Sequence, residues 1–301
     1  MELHDVDAPS DFNDIKDRWP LSDSSRFVRC GSINWHVQQL GDEADEHLLL
    51  VHGTGGSTHS MAPLAQSLAD RFHVTMTDLP GHGFTRGEAN RHYTLPGMAR
   101  ALSTLVSSLE VTPVIAVGHS AGVAILLQIA LENELPLKGI VGINAALQPI
   151  EGNAIFSPLA KALFVNPFVP SAVAWQARYT NLARTLLKNT GSPLEKVDVD
   201  AYGVLLNKSS HIGGALGMMA NWDLKPLRQR LPELTIPVEL IVADDDKMVP
   251  ARVSREASSE AEPVGLFATP SGGHLVHEIQ PDIIAKRVDA MAATLKEPVT
   301  S

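Results

Sequence analysis

Between residues 114 and 125 the chain reads Val-Ile-Ala-Val-Gly-His-Ser-Ala-Gly-Val-Ala-Ile. A β-branched run of this kind predicts a strand buried on both faces, and the segment beyond it carries the apolar periodicity of a helix. The joint between them, Gly118-His119-Ser120-Ala121-Gly122, has the Gly-x-Ser-x-Gly spacing of a nucleophile elbow. So tight a turn forces the serine into a strained backbone conformation, and Gly118 and Gly122 must lack side chains that would meet the neighbouring strand and helix. The serine is thereby lifted to the amino end of the helix. There the helix dipole and the free N–H of Ala121 face any negative charge that develops on a bound oxygen.

A hydroxyl nucleophile is nearly inert at neutral pH, so it needs a base within hydrogen-bond reach and a carboxylate to orient that base. Two later loops supply the residue types. Asp244-Asp245-Asp246-Lys247-Met248-Val249-Pro250 follows an apolar strand over Val238–Ala243, and Ser271-Gly272-Gly273-His274 follows the next, Val264–Ala268. Two glycines before His274 give its loop the freedom to approach Ser120. His277 reads as an ordinary helix-start residue. His119 neighbours the serine, but consecutive side chains at an elbow diverge, so it is expected to point elsewhere.

Strand and helix alternate around these loops. Ser25–Arg29 and Ile33–Gln38 alternate about a Cys-Gly-Ser turn and predict an antiparallel hairpin at the sheet edge. Then come a strand at His47–Val51, a helix from Met61 to Arg71, a strand at Phe72–Thr77, a helix from Leu95 to Glu110 and a strand at Leu137–Asn144. Repeated alternation at this spacing means an α/β fold with a mostly parallel sheet and helices on both faces. The rhythm breaks after the sixth strand. Residues 147–230 show helical stretches bearing Leu159, Leu163, Phe164, Trp175, Met218, Met219 and Trp222, punctuated by prolines, and read as a cap over the carboxyl edge of the sheet. The expected division is an acidic arm over 1–24, a core of 25–146 and 231–301, and this cap. Asp5, Asp7, Asp11, Asp14 and Asp17 make the arm read as solvated and partly mobile.

Composition narrows the partners. A net charge of -10 and 5% aromatic residues argue against nucleic acid. Cys30 is the single cysteine, so neither an intramolecular disulfide nor a thiolate metal cluster is available, and no leader pattern opens the chain; a cytoplasmic protein is expected. The apolar run from Leu159 to Trp175 is interrupted by Lys161 and two prolines and does not predict a membrane span. The histidines form no metal-ligand spacing, the glycines at 53, 55 and 56 are followed by no Gly-Lys-Ser/Thr, and Gly81-x-Gly83 is no dinucleotide fingerprint, so neither a metal nor a cofactor is expected.

Past residue 24 almost the whole chain resembles the α/β-hydrolase superfamily. It is more closely similar to the BchO family, the magnesium chelatase accessory proteins of bacteriochlorophyll gene clusters. That likeness rests on Trp19-Pro20, Trp35-His36-Val37-Gln38, His52-Gly53-Thr54-Gly55, Asp78-Leu79-Pro80-Gly81-His82-Gly83-Phe84-Thr85, the elbow, Met218-Met219-Ala220-Asn221-Trp222-Asp223-Leu224 in the cap, and Gly273-His274-Leu275. The superfamily orders its triad Ser, Asp, His, each after a strand. The resemblance therefore implies Ser120 as nucleophile, His274 as base and Asp246 as orienting acid, with Asp244 as the alternative if the loop is shifted. It also implies an oxyanion hole from the amides of Thr54 and Ala121, Gly55 being the other donor candidate, and a pocket lined by Gly55, His119, Trp175, Met218, Met219 and Trp222.

Three functions are compatible with these residues. The first is hydrolysis of a small hydrophobic carboxylic ester through an acyl-enzyme, and the second is carbon–carbon bond hydrolysis by the same triad. The third, implied by the closer resemblance, is a non-catalytic role near magnesium insertion into protoporphyrin. In that role the chain would hold a tetrapyrrole-like ligand or magnesium chelatase subunits, with Arg178, Arg184 and Lys188 available to porphyrin carboxylates.

Overall fold

A strand that is apolar at every position is stable only where both faces of its sheet are covered. In the computed structural model, which describes residues 3–87, 92–148 and 166–296, that cover is built from helices. The strands are β1 (Leu3–Asp5), β2 (Ser25–Cys30), β3 (Ile33–Leu40), β4 (His47–Val51), β5 (His73–Thr77), β6 (Arg86–Gly87), β7 (Ile115–His119), β8 (Gly139–Ile143), β9 (Val238–Ala243) and β10 (Val264–Thr269). They form one sheet in the order β1-β2-β3-β5-β4-β7-β8-β9-β10, with β6 also paired to β3. β1, β2 and β3 run antiparallel, β3 is antiparallel to β5, and every pairing from β5 to β10 is parallel.

The helices are α1 (Ser10–Asn13), α2 (Thr58–Leu68), α3 (Leu95–Ser108), α4 (Ala121–Leu131), α5 (Val169–Tyr179), α6 (Leu182–Lys188), α7 (Val199–Leu206), α8 (Ser209–Ala220), α9 (Lys225–Arg230), α10 (Arg252–Glu260), α11 (Val276–Ile279) and α12 (Pro281–Lys296). Alternate strand residues feed two cores. Leu49, Val51, Ala116 and Leu240 pack with α3, α4, α9 and α10, whereas Leu48, Leu50, Val117 and Ile241 pack with α2 and α12. α2 begins at Thr58, three residues before its expected start, because the Thr58 N–H donates to Asp78 Oδ1 at 2.7 Å and so has a partner at the helix end.

Two short strands, β1 and β6, add to those expected, so the helical segment follows the eighth strand in chain order; β8 itself is the strand foreseen at Leu137–Asn144. The expected helical stretch at Leu159, Leu163 and Phe164 lies outside the described residues.

Residues 3–24 are not a solvated arm. β1 pairs with β2, and Phe12 and Trp19 are buried against Phe27 and Phe84 with ring centroids 4.9–5.0 Å apart. Two large aromatic side chains outweigh the acidic residues between them once a partner surface exists. Asp11 then binds Arg86 at 2.5 Å and Lys208 at 2.7 Å, joining the N-terminal segment to β6 and to the cap. Elsewhere the cap touches the core backbone to backbone. A Cβ on Gly214 of α8 would lie 2.1 Å from the Gly81 carbonyl oxygen, so only glycine fits.

Candidate active site

The elbow has the strain its spacing predicts. Ser120 sits at φ 53, ψ -115, its N–H donating to the Ile143 carbonyl at 2.8 Å. A Cβ at Gly118 would come within 2.7 Å of the Val123 nitrogen, and one at Gly122 within 2.4 Å of the Val51 carbonyl oxygen. Gly53 closes over the serine from the other side, where a Cβ would stand 2.9 Å from that of Ser120.

His274 and Asp246 meet. The imidazole Nδ1 lies 2.8 Å from Asp246 Oδ2, and the Asp246 side chain is wholly buried while that of His274 is 11% exposed. Asp246 Oδ1 accepts from the amides of Met248 and Val249 at 2.7 and 3.0 Å, which fixes the carboxylate before the histidine arrives. Asp244 is not the orienting acid: half exposed, it pairs with Arg255 at 2.7 Å on the surface. Asp245 has a structural use, accepting from the Gly272 and Gly273 amides at 3.2 and 2.8 Å. Among the described residues no hydrogen bond joins Ser120 Oγ to His274. The His274 ring lies beside that of His119, centroids 4.6 Å apart.

His119 does turn away from the serine, and it has a task there. Its Nε2 lies 2.9 Å from the His274 carbonyl oxygen, which also accepts from Asn144 Nδ2 at 3.0 Å. His119 therefore supports the loop that carries His274. Asn144, at φ 45 just past β8, also accepts from the Ala243 amide at 2.9 Å and so ties together the loops that follow β8, β9 and β10. The cap completes the support. The Thr190 carbonyl accepts from the His274 N–H at 2.9 Å, Ser192 Oγ donates to the Gly272 carbonyl at 2.8 Å, and the Leu275 N–H donates to Ser192 Oγ at 3.0 Å. Neither Asn144 nor Ser192 was signalled in the sequence, since an Asn after a strand and a Ser in a cap turn are common.

Opposite this loop lies the turn after β4. Neither the Thr54 nor the Ala121 amide has an acceptor among the described residues, and Ala121 is the first residue of α4. Thr54 Oγ1 lies 3.3 Å from the sulfur of Met218, which is fully buried, so the cap reaches this turn. Gly55, at φ 77, accepts from His211 Nε2 at 3.2 Å and has open space where a Cβ would stand. Met219 and Trp222 are partly buried, Trp222 against the core with its indole nitrogen unpartnered. Trp175 is not in a pocket: it is 65% exposed on the outer side of α5, which turns its small residue Ala174 inward instead.

Buried polar groups surround the site. Asp78 accepts from His36 Nδ1, the Thr58 amide and the Phe84 amide at 2.7–2.8 Å; the nearby His36 and these donors hold its carboxyl far below the ordinary range despite burial. Burial keeps His52, His59, His82, His119, His211 and His277 neutral, their pKa values falling to about 3 for His59, His82 and His277. His277 is no ordinary helix-start residue. It is fully buried, 4.2 Å from the His119 ring, with its Nε2 3.0 Å from Ser60 Oγ. Ser60 Oγ and the Tyr202 hydroxyl both donate to Glu278 Oε1, at 2.5 and 2.6 Å, and burial raises Glu278 to about 7.

A buried His–Asp pair beside a strained serine elbow, on a mostly parallel sheet covered on both faces, finds its match in comparison. Residues 46–281 match the model of the α/β hydrolase fold family. The chain belongs to the α/β-hydrolase family. It is 39% identical over 266 residues to the "Magnesium-chelatase 30 kDa subunit" of Rhodobacter capsulatus, covering 88% of this chain and 93% of that one. It is 24% identical over 269 residues to the "2-(acetamidomethylene)succinate hydrolase" of Mesorhizobium japonicum, covering 88% and 93%. The structure of the enol-lactonase from Burkholderia xenovorans superposes with a TM-score of 0.74 at 17% identity, over 89% of this chain and 99% of that one, and shares its fold. Among the described residues no helix is long and apolar enough to cross a membrane.

Proposed function

We propose that this α/β-hydrolase cleaves a small hydrophobic carboxylic ester through an acyl-enzyme. The observation that supports this most is the His274–Asp246 pair, because a buried carboxylate on Nδ1 holds the tautomer whose Nε2 accepts a proton. In this reading Ser120 Oγ bonds to the carbonyl carbon while its proton passes to His274 Nε2. The carbonyl oxygen, now negative, takes the amides of Thr54 and Ala121. The tetrahedral adduct expels the alkoxide, which leaves with the proton from His274. Water then gives a proton to His274 and its hydroxyl to the acyl carbon, and the proton returns to Ser120 as the acid departs. With no hydrogen bond joining Ser120 and His274 here, substrate closes that contact, as apo sites of this chemistry commonly require.

A second reading has one observation in its favour, the name of the 39%-identical relative. In it the chain binds a tetrapyrrole or a magnesium chelatase subunit beneath the cap and the triad is not used. One experiment separates the two: treat the protein and Ser120→Ala with a fluorophosphonate probe and p-nitrophenyl esters. Labelling and turnover that vanish in the variant support hydrolysis. An unlabelled, inactive protein that binds protoporphyrin tightly supports the accessory role.

A further inference from the structure

Among the described residues, the large apolar side chains that stand in solvent are Phe168, Trp175, Tyr179 and Leu186, exposed by 79%, 65%, 74% and 46%. All four lie on or beside α5 and α6. Spacings of seven and four residues put Phe168, Trp175 and Tyr179 on one face of α5, and the Trp175 and Tyr179 rings stand 5.3 Å apart. The opposite sides of the two helices supply the buried residues Ala174 and Leu187. Arg178 of α5 and Arg184 and Lys188 of α6 are exposed and without an ion pair among the described residues. Residues 166–194 contain no Asp or Glu, in a chain whose net charge is -10.

We propose that this face docks on an anionic lipid bilayer, with the aromatic side chains at headgroup depth and the three cations against the lipid phosphates. Trp and Tyr favour that layer because one end of each ring is apolar and the other can hydrogen-bond. The charge pattern points the same way: in a strongly negative protein, an exposed segment with cations and without acidic residues is among the least repelled by anionic lipid. A free small ligand fits less well, because small-molecule sites are concave and these side chains project outward from a helix face. The inference rests on the surface alone and not on the proposed hydrolysis.

The test is cosedimentation of the full-length protein with vesicles of phosphatidylcholine alone and of phosphatidylcholine with phosphatidylglycerol. Binding is expected to the anionic vesicles only, and to weaken as salt is raised. Changing Arg178, Arg184 and Lys188 together to Glu should weaken it by about a hundredfold or more. Trp175→Ala should weaken it without altering the melting temperature, the residue being exposed. Ser120→Ala should bind as the unaltered protein does, which separates failure here from failure of the hydrolase reading. Absence of binding by the folded protein overturns the proposal, whether the face then proves to take free porphyrin or a second copy of the chain. Equal binding to both vesicle types, or indifference to the charge reversal, overturns it as well.

Discussion

Lowering the pH from 6.5 to 5.5 should cost this protein about 2 kcal/mol of stability or more. Six buried histidines, His52, His59, His82, His119, His211 and His277, have pKa values depressed by burial. Below pH 6.5 the unfolded chain takes up protons at these positions and the folded chain does not, so stability falls as pH falls, down to the folded values near 3. Over this window each of the three whose folded values lie near 3 costs about 1 kcal/mol, about 3 kcal/mol together, and His52, His119 and His211 add to the loss in the same direction. Glu278 opposes them. Raised to about 7 by burial, it is protonated in the folded state and ionised in the unfolded one, and so returns roughly 1 kcal/mol over this window. The net loss, about 2 kcal/mol or more, compares with a total stability of about 5–15 kcal/mol for an ordinary domain. Urea denaturation followed by circular dichroism at half-unit pH steps gives the slope. A net uptake on unfolding of roughly one to four protons per molecule is expected between pH 6.5 and 5.5, falling by a little under one in His277→Gln. A slope of zero, or one of opposite sign, would refute the assignment of these histidines as neutral and buried.

Three further outcomes follow from the site. Asp246→Asn should lower kcat/KM on an ester by about 10⁴-fold, while Asp244→Asn, altering only a surface pair with Arg255, should leave it near the unaltered value in the same spectrophotometric assay. Gly83→Ala should destabilise the fold by about 3 kcal/mol or more in chemical denaturation, because its Cβ would stand 2.0 Å from Asp78 Oδ2 at a φ of +52, displacing a buried carboxylate from its donors. Ser192→Ala removes a donor to Gly272 and an acceptor for Leu275. It should speed hydrogen exchange at 272–275 and reduce kcat more than it changes KM.

The elbow was legible because steric need writes it into five adjacent residues, and the parallel sheet because β4, β7 and β9 are buried on both faces. His274 was legible through the strand that precedes it, whereas the strand before Asp244, Asp245 and Asp246 left three carboxylates open and only the resemblance singled out Asp246. What escaped were groups whose use depends on distant partners. Asn144 joins three loops, Ser192 joins the cap to one of them, and Glu278 meets Tyr202 from 76 residues away. No local pattern encodes such meetings. The N-terminal segment misled for a related reason: its acidic residues dominate the composition, but Phe12 and Trp19 decide its place. Trp175 misleads in the opposite sense, since an aromatic residue in a cap reads as lining but this one faces outward.

The glycine-to-glycine seam between α8 and the loop at Gly81 bears on protein engineering. Exchange of caps between hydrolases is a natural way to change substrate range. Here a transplanted cap would have to bring a residue without a side chain to position 214 and a hydroxyl to position 192, or it would sit off its base and drag His274 with it. Compatible donors can be recognised by those two positions before any chimera is made.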